Sequence, residues 1–173
     1  YNRAKVEFGI VSVCYFSNLS MQEEASRVLE YLERNVESSE DRALRLYARM
    51  MLANSEPDTK KRLLLLTMGL AAAHDSRLEW LEGNYRLLLA IALRDREVLD
   101  LFVTEYPDRV ASLLPEGSMP EELPYIIAEE AVSDFRNYGD RYMMTEALAV
   151  QASCDIRLER YENALALLSC AYG

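Results

Sequence analysis

Residues 134–172 read DFRNYGDRYMMTEALAVQASCDIRLERYENALALLSCAY, and this stretch decides the fold. Two helical patterns meet there across the short break Glu159-Arg160-Tyr161. The first carries Tyr142, Leu148, Ala152 and Ile156; the second carries Ala164, Leu168 and Ala171. Small residues at 152, 164 and 171 let two antiparallel helices cross closely, because a larger substituent would push the axes apart. Tyr161, just after the turn, gives the second helix a large residue to wedge against its neighbour.

Working outward, the same alternation of helix and break fills the chain. Residues 3–17 place Val6, Ile10, Val13 and Phe16 or Ser17 on one face. Ser20 and Glu23 have capping-box spacing before a helix with Ala25, Val28, Leu29 and Leu32 inward. Ser38-Ser39-Glu40-Asp41 opens a third helix with the stripe Leu44, Tyr47, Ala48 and Met51. Asp58 or Thr59 caps a fourth, whose run Leu63–Leu66 is apolar all round and reads as the most buried. The fifth carries Leu78, Leu81, Tyr85, Leu88, Leu89 and Ala92. Gly83 inside it costs about 1 kcal/mol against Ala, which signals a close neighbour. Pro107 interrupts the sixth, leaving residues 108–114 as a short helical turn. Ser118 and Glu121 repeat the capping-box spacing, Pro124 suits a first helical position, and Gly139 suits a C-terminal cap. We count nine helical segments and no run of strict alternation long enough for a strand. The expectation is an all-α chain of antiparallel helical hairpins: N-terminal hairpins over 3–54, central ones over 57–114, and a helix plus hairpin over 118–172, in one domain spanning 1–173.

Bulk composition agrees. Half of the 173 residues are hydrophobic, with six Gly and five Pro, so the chain buries a core and favours helices. A net charge of −10 disfavours binding to nucleic acid or to an anionic lipid surface and steers basic partners at long range. No stretch approaches the roughly 18–20 apolar residues of a membrane-spanning helix. The chain begins at Tyr1 rather than Met, which points to a processed or excised piece with compartment left open.

Chemistry-bearing constellations are scarce. Cys14, Cys154 and Cys170 are too far apart for a zinc motif and read as reduced, small core residues. His74, the one histidine, follows three alanines where a cation suits a helix C-terminus. No phosphate-cradling glycine motif and no E-x-x-H occurs. The pairs Glu23-Glu24, Glu121-Glu122 and Glu129-Glu130 read as solvated helix faces, and Lys60-Lys61-Arg62 as a chance basic cluster, the alternative being contact with an acidic partner or with another part of the same molecule. Eleven tyrosines stand against four phenylalanines and one tryptophan; Tyr138, Tyr142, Tyr161 and Tyr172 read as wedges between helices. These absences point to a non-catalytic chain without cofactor or metal.

The terminal hairpin is similar to a tetratricopeptide repeat: a small residue, a turn, an aromatic, then Ala three and ten residues later. Gln151 and Asp155 depart from it, standing where that repeat has an aliphatic and an aromatic residue. Residues 124–171 also resemble the helical-repeat sensor region of bacterial membrane-bound sensor histidine kinases of the Bacteroidetes type. Asp134, Phe135, Arg136, Tyr138, Gly139, Ser153, Cys154, Tyr161, Ala164 and Leu165 carry that likeness over about a quarter of the chain. It implies an α-α superhelix acting as an extracytoplasmic sensing part of a two-component kinase, any kinase lying beyond Gly173. A cytoplasmic tetratricopeptide-like adaptor is the alternative. In the repeat register Glu146, Ala149, Ser153, Ile156 and Arg157 line a concave surface. A protein or peptide is the partner that surface suits, and a homodimer is compatible with it.

Overall fold

A computed structural model describes residues 2–19, 21–35 and 40–172, with the side chains of 2–6, 33, 35, 40, 41 and 172 outside the description. Among the described residues there are ten α-helices, one 3-10 turn and no strand. They are α1 (Asn2–Asn18), α2 (Gln22–Asn35), α3 (Glu40–Ser55), α4 (Thr59–Asp75), α5 (Glu79–Leu93), α6 (Arg96–Glu105), α7 (Pro107–Leu113), α8 (Leu123–Tyr138), α9 (Arg141–Arg157) and α10 (Tyr161–Tyr172); the 3-10 turn covers Pro120–Glu122. The all-α expectation holds. The tenth helix is α7, which Pro107 starts from its first turn, where a missing N–H costs nothing.

Several helix boundaries follow from local chemistry. Asp58 Oδ1 accepts from the Lys61 amide at 2.7 Å, Asp95 accepts from Glu97 and Val98, and Asp140 accepts from Met143. Each carboxylate satisfies amides that a helix start leaves open. Gly139 ends α8 at φ 86°, donating to Phe135 O, as Asp140 N also does. The expected Ser118–Glu121 box is not the one formed: Glu122 reaches back to the Met119 amide at 3.1 Å. The Ser20–Glu23 box and the start at Ser38-Ser39 lie outside the described residues.

The chain divides into two compact units, 1–81 and 82–173, with the boundary inside α5. In the first, α1 packs on α2 and α3, α3 on α2 and α4. Ile10, Val13, Ala25, Leu29, Leu32, Ala48 and Leu52 form its core, and Tyr47 stacks on Trp80 with ring centroids 6.1 Å apart. The α3 stripe is broader than its periodicity suggests, since Leu46, Met50 and Ala53 are buried beside Ala48. A helix with neighbours on several sides buries more than one stripe. The opposite correction applies to α4: Leu64 and Met68 are 45% and 57% exposed, so its leucine run is not apolar-enclosed.

In the second unit α9 packs on both α8 and α10. Tyr85, Leu89, Leu93, Phe102, Leu123, Ile127 and Phe135 are buried there. In α5 the residues from Leu81 through Tyr85 are all buried. Gly83 explains how: a Cβ there would lie 3.0 Å from Asp134 Cβ and 3.1 Å from the Phe135 ring. Arg86, one turn on, ties α5 to α8 through Asp134 and Glu130 (2.9 Å) and to its own helix through Glu82 (2.7 Å). Burial opposes the Arg86 charge, but the three carboxylates outweigh it and raise its pKa.

Three further expectations are overturned. Tyr138, Tyr142 and Tyr161 are exposed, as is Ile156, so they wedge nothing; the buried side of α9 belongs instead to Leu148, Gln151, Ala152 and Asp155. Cys170 is exposed, whereas Cys154 is buried, Cys14 half-buried, and all three are free thiols. The later carboxylate pairs are not merely solvated: Glu121 pairs with Arg96, Glu122 with Arg160 and Glu130 with Arg86, whereas Glu23 stays on an exposed face beside Arg27. Likewise Lys61 reaches the buried Glu56 at 2.7 Å.

Candidate partner-binding face

Helix α9 presents two unlike sides. Toward its neighbours lie Ala147, Leu148, Gln151, Ala152 and Asp155, all buried. Away from them lie Glu146 and Arg157, exposed, Ile156, 48% exposed, and Ala149 and Ser153, half-buried. Steps of three, four and three residues put 146, 149, 153 and 156 on one helical face. The five expected residues therefore do share a surface. Glu146 and Arg157 are eleven positions apart, about 16 Å along the axis, too far for a charge pair.

The Arg157 end of that face is built with other elements. Arg94, at the end of α5, donates from Nη1 to Ser153 Oγ at 3.0 Å. Arg96 and Leu99 of α6, Glu121 of the 3-10 turn and Pro124 of α8 join Cys154, Arg157 and Leu158 around a cleft of about 80 Å³. Arg96 is held by Asp100 at 3.2 Å and by Glu121 at 3.3 Å. Arg157 has no carboxylate partner among the described residues. Sequence reasoning missed Arg94, Arg96, Leu99, Glu121 and Pro124, because nothing along the chain marks Arg94 as a neighbour of Ser153, 59 positions away.

The cleft floor is chemically quiet. Burial pushes the Cys154 thiol up to about 11, with Arg94 and Arg157 pulling the other way, so it stays protonated at neutral pH and is a poor nucleophile. Among the described residues no group of three His, Cys, Asp or Glu side chains converges as metal ligands would.

Behind the face, the two departures from the repeat pattern join one polar cluster. Gln151 lies beside the Tyr125 hydroxyl, and the Arg160 guanidinium lies 5.9 Å from the Tyr125 ring centre. Arg160 pairs with Glu122 and reaches Asp155 only at 3.9 Å. Both Asp155 carboxylate oxygens are buried without a hydrogen bond. Burial raises the Asp155 pKa, and Arg160 draws it partly back. The hydrogen bond from Arg160, joined by the Met119 amide, holds Glu122 below the ordinary carboxylate value. Asp155 is fully covered, so its carboxylate cannot meet a ligand directly.

No family model, curated protein or solved structure matches this chain.

Proposed function

We propose that the chain is a non-catalytic helical-repeat module that binds a polypeptide segment across the exposed face of α9. The observation that carries this reading is the small cleft at the foot of that face, with Arg157 at its mouth. At about 80 Å³ it falls well below the roughly 300–1,000 Å³ of small-molecule and cofactor sites, and suits the tip of one side chain. Ile156 and Ala149 supply apolar contact above it, and Glu146 closes the far end. The face is thus polar at both ends with opposite signs. A segment that fits it sets an acidic side chain against Arg157 and a basic one against Glu146. Extended backbone covers about 16 Å in five residues.

Repeat architecture is supported by the order of neighbours: α1 on α2 and α3, α2 on α3, α3 on α4, then α8 on α9 and α9 on α10. Such sequential contacts are those of stacked antiparallel hairpins. With the resemblance of residues 124–171, this supports a sensing module of an extracytoplasmic, membrane-anchored kinase.

Selection of a library of twelve-residue displayed peptides on the immobilised chain tests the reading. Recovered peptides should carry the acidic and basic pair, and Arg157→Gln or Glu146→Gln should each weaken them about tenfold, 1.4 kcal/mol, with an unchanged melting temperature. Peptides indifferent to both substitutions refute the α9 face.

A further inference from the structure

The first unit holds a strongly charged cleft that the proposed function does not use. Arg42, Arg45 and Arg49 of α3 line it with Leu46 and with Ala72 of α4, around a volume of about 260 Å³. Steps of three and four residues bring the three guanidiniums onto one face of α3. Like charges at these spacings repel, and Arg42 stands in the first helical turn, where the helix dipole also disfavours a cation. Both effects concentrate positive potential in a chain whose net charge is −10. Leu46 is buried and Ala72 half-buried, so the floor is apolar and the walls cationic.

We propose that this cleft binds an extended acidic polypeptide segment, with carboxylates at alternate residues taken by the three arginines. Length supports it. From 42 to 49 the helix advances about 10 Å, in steps of about 4.5 and 6 Å that long arginine side chains splay to meet carboxylates roughly 7 Å apart on an extended chain, and that a single small anion does not span. Charge supports it as well. Three cations on a face of an otherwise acidic chain suit a short acidic stretch, whereas a long polyanion meets repulsion from the rest of the surface. Arg45 and Arg49 each have another interaction within the chain. Five N–H donors per guanidinium leave several for a ligand. The apolar floor takes the methylene stems and backbone of the bound segment.

The test uses the full chain and a fluorescently labelled synthetic peptide, Ser-Glu-Ser-Glu-Ser-Glu-Ser, read by anisotropy. Wild-type protein should bind it, more weakly as salt rises, and the same peptide with Lys for Glu should not bind. Arg45→Gln and Arg49→Gln should each weaken binding about tenfold. Should either lose helicity by circular dichroism, the exposed Arg42→Gln decides, with an expected loss of about threefold. Absence of binding, or equal binding by folded variants, overturns the proposal. Displacement of the peptide by equimolar inorganic phosphate or citrate makes the cleft a small-anion site. Displacement by equimolar oligouridine makes it a general polyanion site. Either displacement overturns the polypeptide assignment. None of these outcomes touches the α9 face.

Discussion

Asp155 shows how one residue sets a pH dependence. It is wholly buried, lacks a hydrogen bond to either oxygen, and is 3.9 Å from Arg160, which already serves Glu122. Burial, offset in part by Arg160, raises its pKa in the folded chain above the ordinary 3.8. The folded state therefore holds this proton more tightly than the unfolded state does. Its contribution to stability is full below about 3.8 and is lost as pH rises through the folded value, leaving a penalty at neutrality. Asp155→Asn should remove that slope and raise the neutral-pH melting temperature by about 2–4 °C per kcal/mol relieved. A fall in melting temperature at pH 7 would mean that the Arg160 pair outweighs the burial. Glu159 acts through its backbone instead. It closes α9 at φ 60°, a left-handed conformation that costs a side-chain-bearing residue roughly 1–2 kcal/mol. Gly there gives back part of that gain as chain entropy, so Glu159→Gly should stabilise by about 0.5–1 kcal/mol in a denaturant melt.

Among the elements, the α5–α8 crossing is a tight contact that a single substitution can probe. Gly83→Ala brings about 1 kcal/mol of helix propensity. It also sets a methyl 3.0 Å from Asp134 Cβ and 3.1 Å from the fully buried Phe135 ring. Overpacking of that kind costs roughly 1–3 kcal/mol, and Phe135 has no room to retreat. The crossing should lose about 1 kcal/mol net in a denaturant melt, and an unchanged midpoint would show that α8 can slide away. Gly83 was legible because glycine inside a strong helical pattern needs a reason. The true burial of α4 was not legible, since leucines in a row look alike until neighbours choose among them. Leu63 and Leu66 face the core, and Leu64 and Met68 do not.

At the scale of the whole molecule, free cysteines in three different environments give a direct check on the packing. Denatured, unreduced protein should titrate three thiols, in keeping with three free cysteines. In the folded protein Cys170 should react first with a thiol reagent and Cys154 last, because Cys154 is buried with its pKa near 11. Rapid modification of Cys154 would show that the cleft beside Arg157 opens widely. By itself the sequence determined the all-helical fold, the Asp58 and Gly139 caps and the close approach at Gly83. These depend on interactions within a few residues or on a penalty that glycine makes visible. Tertiary structure alone decided which flank of each helix is covered, and hence that Gln151 and Asp155 are interior while Tyr142 and Ile156 are not. It alone brought Arg94 to Ser153 and gathered Arg96, Glu121 and Arg157 around one cleft. Helical periodicity repeats every 3.6 residues whatever lies alongside, so it marks faces without saying which neighbour, tens of residues away, will cover them.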